Sequence, residues 1–227
     1  PQVSLLRTTE QVGAPALRHL ALEGSASLRG LGLLDSGVEI TAVAGRYLLA
    51  TSEGTRLEQP ERYVAVHAWA RAQRPDGVVL DDARTWVALR PSDLPPLDEI
   101  TAEVSAMGRG VMARMGAEIV DDYEGPVLFE GQAATDLFRF LIPREVQGTP
   151  PAPSPGTSYK KAMRNEPRLG RRLLPEGWSV TSDPTTTGAV GSYTYDREGV
   201  APRPVRLVED AYVRDLAITR IPRHDVQ

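Results

Sequence analysis

Cysteine is absent from this 227-residue chain, which excludes disulfides, thiolate metal ligands and a cysteine nucleophile. Histidine is scarce: His19, His67 and His224 are the full complement, and none of them stands in metal-ligand spacing to another. Lysine is nearly missing too, since Lys160 and Lys161 are the sole lysines beside many arginines. No apolar run approaches the roughly 20 residues that a membrane-spanning helix needs, and the first residues lack the basic-then-apolar layout of a signal peptide. A cytoplasmic protein with no membrane partner is therefore expected. What is present is ordinary for a globular protein: 41% hydrophobic residues, 25% charged and a net charge of −4, a balance that calls for no nucleic acid. The length admits one large domain or two small ones with a real core. The first residue is Pro1 rather than Met, so a piece of a longer protein is expected.

The pattern along the chain predicts an α+β fold. "APALRHLALEG" at 14–24 places Leu17, Leu20 and Ala21 on one helical face, with Gly24 as its stop. From about residue 38 the period changes to two. "VEITAVAG", "RYLLATSEGT", "RYVAVHAWARA" and "GVVLDDARTWVALR", separated by the turns "SEGT" and "RPDG", read as an antiparallel meander. Leu97, Ile100, Val104, Met107, Val111 and Met115 then recur every three or four residues and predict a long helix over 97–119, weakened by Gly108 and Gly110. A strand-helix passage follows, "PVLFE" then "QAATDLFRFLI", with Pro143 ending the helix because its ring cannot continue the ladder. Residues 143–157 carry five prolines and read as an extended loop, and 160–172 is basic. Short strands in "WSVTSD", "GSYTYD", "RPVRLVED" and "YVRDLAITRI" form a second antiparallel region. The expected division is 1–122 for the meander and helix, and 123–227 for the rest.

Few residues suggest chemistry on their own. His67 shares a strand face with Tyr63, Ala65 and Trp69, the setting of a structural histidine, and His19 and His224 read as solvated. There is no G-x-S-x-G elbow for a serine nucleophile, and "GRGVMARMG" lacks the spacing of a phosphate cradle. The carboxylates Asp81 and Asp82, then Asp121, Asp122 and Glu124, then Asp196 and Glu198, fall at predicted turns and element ends, where solvated acids are common. The basic stretch reads as a solvated loop, without the aromatic interleaving of a nucleic-acid site.

Two passages, "YEGPVLFEGQAATDLFRFLI" and "LPEGWSVTSDPTTTGAVGSYTYDREGVAPRPVRLVEDAYVRDLAITR", together with the upstream "SEGT" hairpin, resemble the TldD/PmbA (TldE) family, also called modulators of DNA gyrase. The active members are zinc-dependent peptidases. In them, as the resemblance implies, H-E-x-x-x-H on the helix after the "GPVVL" strand turns two imidazoles to one zinc ion while the glutamate activates water, and a distant cysteine completes the site. Here Arg139 and Phe140 stand at the first histidine and the glutamate, and no histidine occurs between 68 and 223 to supply the second. A guanidinium has no lone pair to give, and phenylalanine has no ligand atom.

The resemblance thus implies the branch without the metal motif: no zinc in this chain, a role in proteolysis as a peptide-holding scaffold, an active TldD-like subunit as partner, and a homo- or hetero-oligomer. An extended or unfolded peptide is the expected ligand, added to a free sheet edge supplied by "RPVRLVED" or "YVRDLAITR". Arg139, Tyr195, Asp196 and Glu198 are the candidate peptide contacts, Arg139 toward a carboxylate. The alternatives are a structural module that kept the fold without peptide binding, and an active metallopeptidase whose ligands come from outside this chain. An open groove beside the 132–142 helix, flanked by a free strand edge, favours peptide holding over the structural module.

Overall fold

The structure, a computed structural model, describes residues 2–4, 14–120, 122–149 and 169–220. It divides into two compact units, the first of Pro1–Val127 with Gly188–Val190 and the second of Leu128–Thr187 with Gly191–Gln227. In the first unit, β2 (Asp35–Ala50), β3 (Arg56–Gln73) and β4 (Val79–Ala88) form the expected antiparallel meander, turning at the two segments read as turns, and β1 (Gln2–Ser4) lies parallel to the start of β3. Thr51 N–H donates to the Thr55 carbonyl, 3.0 Å, at the tip of the first hairpin. Hydrogen-bonded pairs alternate along an antiparallel ladder, so the odd-numbered residues of β3 bond to β2 and the even-numbered ones face away. Pro60 is even-numbered and lies between the stretches that pair with β1 and β4, so its missing N–H breaks no ladder bond.

Alternation gives β3 one dry face. Val64, Val66, Ala68, Ala70 and Ala72 are buried, and small side chains there let α1 (Ala14–Ala26) and α2 (Leu97–Ala113) lie close on the sheet. The core joins Val66, Ala68, Ala70 and Ala72 to Leu20 of α1 and to Ile100, Val104, Met107 and Val111 of α2, while Val64 clusters with Leu17 and Ala88. Two helix ends differ from expectation. Gly24 does not stop α1; it is buried inside the helix, where a Cβ would lie 3.0 Å from Val38 Cγ2, so it serves close approach instead. α2 ends at Ala113 rather than 119, tightening into a 3₁₀ turn over Arg114–Gly116.

In the second unit, α3 (Gly131–Val146) packs on a small sheet of β5 (Val180–Ser182), β6 (Val205–Glu209) and β7 (Tyr212–Val213), in that order and antiparallel. Pro143 does not end α3: the helix runs one turn further, and Gln147 N–H donates to the Pro143 carbonyl, 2.9 Å. An internal proline costs about 3 kcal/mol. Burial of Ile142 and Val146, worth about 1.5–3 kcal/mol each, offsets it. Residues 126–130 form no strand. Val127, Leu128 and Phe129 are exposed, and among the described residues no neighbour supplies the pairing that a β-prone sequence requires. Nor is 191–196 a strand; the chain turns at Asp196–Gly199, where Gly199 N–H donates to the Asp196 carbonyl, 3.1 Å. Most of the Pro-rich and basic stretches, with His224, lies outside the described residues.

Candidate functional site

Phe138, Ile142 and Val146 recur every four residues along α3 and so share one face. That face meets Val180 of β5 and Leu207 of β6 in the core of the second unit. The packing leaves an open groove of about 540 Å³ lined by these residues with Pro143, Gln147 and Ala217. Gln147 is the one polar side chain in the lining, so the groove suits an apolar group and penalises a charged one, which would be desolvated without a partner. At one side Trp178, half exposed, stacks on Phe138 with ring centroids 5.7 Å apart.

The strand edge beside this groove is not the one expected. β6 is the middle strand, with both sides taken by β5 and β7. The stretch from Tyr212 onward is bridged as well: Tyr212 pairs with Arg172, and Ala217 with Gln147. Among the described residues β5, which gives Val180 to the lining, pairs with β6 alone, so its outer edge is free.

The four candidate contact residues are engaged elsewhere. Arg139 does not line the groove; it is 81% exposed and paired with Asp136 of its own helix at 3.7 Å. Asp196 closes a turn, its Oδ1 accepting from the N–H groups of Glu198 and Val200, both at 2.8 Å. Glu198 Oε2 accepts from Arg220 N–H, 2.8 Å, and Tyr195 is half-buried beside them. Sequence reasoning missed Val180, Leu207, Gln147 and Ala217; the four-residue spacing of Phe138, Ile142 and Val146 was the signal for the helical wall.

Arg139 and Phe140, which the resemblance sets against the metal motif, offer no zinc ligand atom, and among the described residues no three His, Asp or Glu side chains gather. His67 is exposed, stacked on Trp69 at 5.9 Å with Nδ1 3.0 Å from Thr85 Oγ1. Three exposed aspartates have lowered pKa values, each from turn hydrogen bonds: Asp76 through Val78 N–H, Asp93 through Arg90, and Asp183 through the Thr185 hydroxyl and N–H. These carboxylates brace loops.

Residues 123–220, which include α3, the groove and the small sheet, match the profile of the PmbA/TldA metallopeptidase C-terminal domain. Over this stretch the chain is similar to the C-terminal domain of the TldD/PmbA family. The fold agrees with solved structures of proteins bearing related names. A modulator of DNA gyrase from Thermotoga maritima aligns with TM-score 0.65 at 15% identity over 95% of this chain and 49% of its own. One from Bacteroides thetaiotaomicron gives 0.68 at 13% over 92% and 45%. TldE from Thermococcus kodakarensis gives 0.55 at 14% over 95% and 48%. The chain thus spans about half the length of these structures. No curated protein matches it in sequence.

Proposed function

We propose that this chain serves proteolysis by holding rather than cutting: a non-metal-binding, peptide-holding scaffold of the TldD/PmbA family, acting in the cytoplasm beside an active zinc metallopeptidase subunit. The observation that carries the reading is the open apolar groove along α3, with the β5 edge, unpaired among the described residues, at its side. An extended peptide can bond to such an edge through its main chain while alternate side chains enter the groove. The match of 123–220 to a metallopeptidase-family domain supports the link to peptides. The missing histidines and the exposed, helix-paired Arg139 support holding without a metal.

Fluorescence anisotropy of a labelled, unfolded apolar peptide tests this. Ala217 lines the groove but is exposed, and the bonds that fix it there are main-chain ones. Ala217→Glu should therefore fold normally and bind the peptide at least about 10-fold more weakly, equivalent to ~1.4 kcal/mol. Binding unchanged by Ala217→Glu would remove the groove from the account.

A further inference from the structure

The first unit has two very different sheet edges. β4, at one side, is 10 residues long and carries Asp81, Asp82 and Arg84 along it, the kind of charge that discourages further pairing. β2, at the other side, runs 16 residues in unbroken register with β3, with no proline and no bulge. At ~3.3 Å per residue it is about 50 Å long, when most strands are about 5–6 residues. The Thr51–Thr55 bond sets the ladder parity, so Ser36, Val38, Ile40, Ala42, Ala44, Arg46, Leu48 and Ala50 turn their N–H and C=O groups outward. Among the described residues nothing pairs with them. Beyond the part of β2 that α1 packs against, Leu48 is 65% exposed.

We infer that this edge is an interface between two copies of the chain, formed by antiparallel pairing of β2 with β2. Two-fold pairing of outward groups requires residues of equal parity to stand opposite each other. With Val43 opposite Val43 of the second copy, Leu48 meets Val38, Arg46 meets Ile40 and Tyr47 meets Glu39. No like charges face each other, and the exposed Leu48 gains an apolar neighbour. All eight outward residues then find partners, because the strand pairs with itself along its length.

The absence of cysteine makes the test direct. On mild oxidation of the full chain, Val43→Cys should form a disulfide-linked dimer, since directly opposed, non-hydrogen-bonded residues have Cα atoms about 4.5 Å apart, within disulfide reach. Ala83→Cys, on β4, should not. Ala44→Pro removes an outward N–H and leaves β3 pairing intact, so sedimentation should show a dimer for the parent chain and at least about 10-fold weaker association for the variant. A parent chain that stays monomeric at about 100 µM overturns the inference, as does cross-linking at 83 without cross-linking at 43. A dimer indifferent to Ala44→Pro, with that variant shown to be folded, overturns it as well.

Discussion

Two glycines one turn fraction apart in α2 show how single residues are fixed by what surrounds them. A Cβ at Gly108 would lie 2.7 Å from Leu28 Cδ2 and 2.8 Å from Leu31 Cδ1, whereas a Cβ at Gly110 would meet nothing within 4 Å. Gly110→Ala should then stabilise the protein by about 0.5–1 kcal/mol through helix propensity. Gly108→Leu should destabilise it by about 1–3 kcal/mol through overpacking. Chemical denaturation of the two variants checks both signs. Gly37 is constrained from the opposite face of the sheet, where Trp69 lies across it and donates to Asp35 Oδ2, 3.0 Å. Acid sensitivity is also a residue-scale property. The lowered pKa of Asp183 means that its turn contributes stability above the unfolded aspartate range near ~3.9, and loses it as pH falls through the folded value. Asp183→Asn should flatten stability against pH in that acid window and change little near neutrality, as read by thermal melts across pH.

Among the elements, α3 carries the most information because it is the least ideal. Its proline removes one ladder bond and lines the groove, and the helix persists because Ile142 and Val146 on either side of it are buried. Pro143→Ala should raise stability by about 1–3 kcal/mol, measurable as a higher Tm, because the restored N–H regains its bond to the Arg139 carbonyl. The same element shows what was legible in the sequence. Periodicity located the three α-helices of the described residues and the meander, because apolar spacing and turn residues are local signals. It misplaced the end of α3, because tertiary burial outweighed the local cost of proline. It gave residues 126–130 to a strand, because β propensity reports a side chain's taste for a pleated surface but not whether a neighbouring strand exists. Arg139, Tyr195, Asp196 and Glu198 stood out as chemically able residues, while the groove is made of apolar ones whose convergence depends on how α3 meets β5 and β6.

At the scale of the whole molecule, two units of different character stand in one chain. The first has a long meander under two helices; the second matches a peptidase-family domain and holds an open apolar groove. Among the described residues no helix is long and apolar enough to cross a membrane. The account places peptide contact in the second unit and self-association on the β2 edge of the first, so the two should separate experimentally. Ala217→Glu should weaken peptide binding without altering sedimentation, and Ala44→Pro should do the reverse. The central claim is that this chain grips peptides and leaves their bonds intact. Its most direct test is to incubate the purified chain with an unfolded peptide in zinc-containing buffer, with and without a chelator, and to follow the peptide by mass spectrometry. The account predicts full-length peptide in both samples; fragments that appear with zinc and vanish with chelator would contradict it.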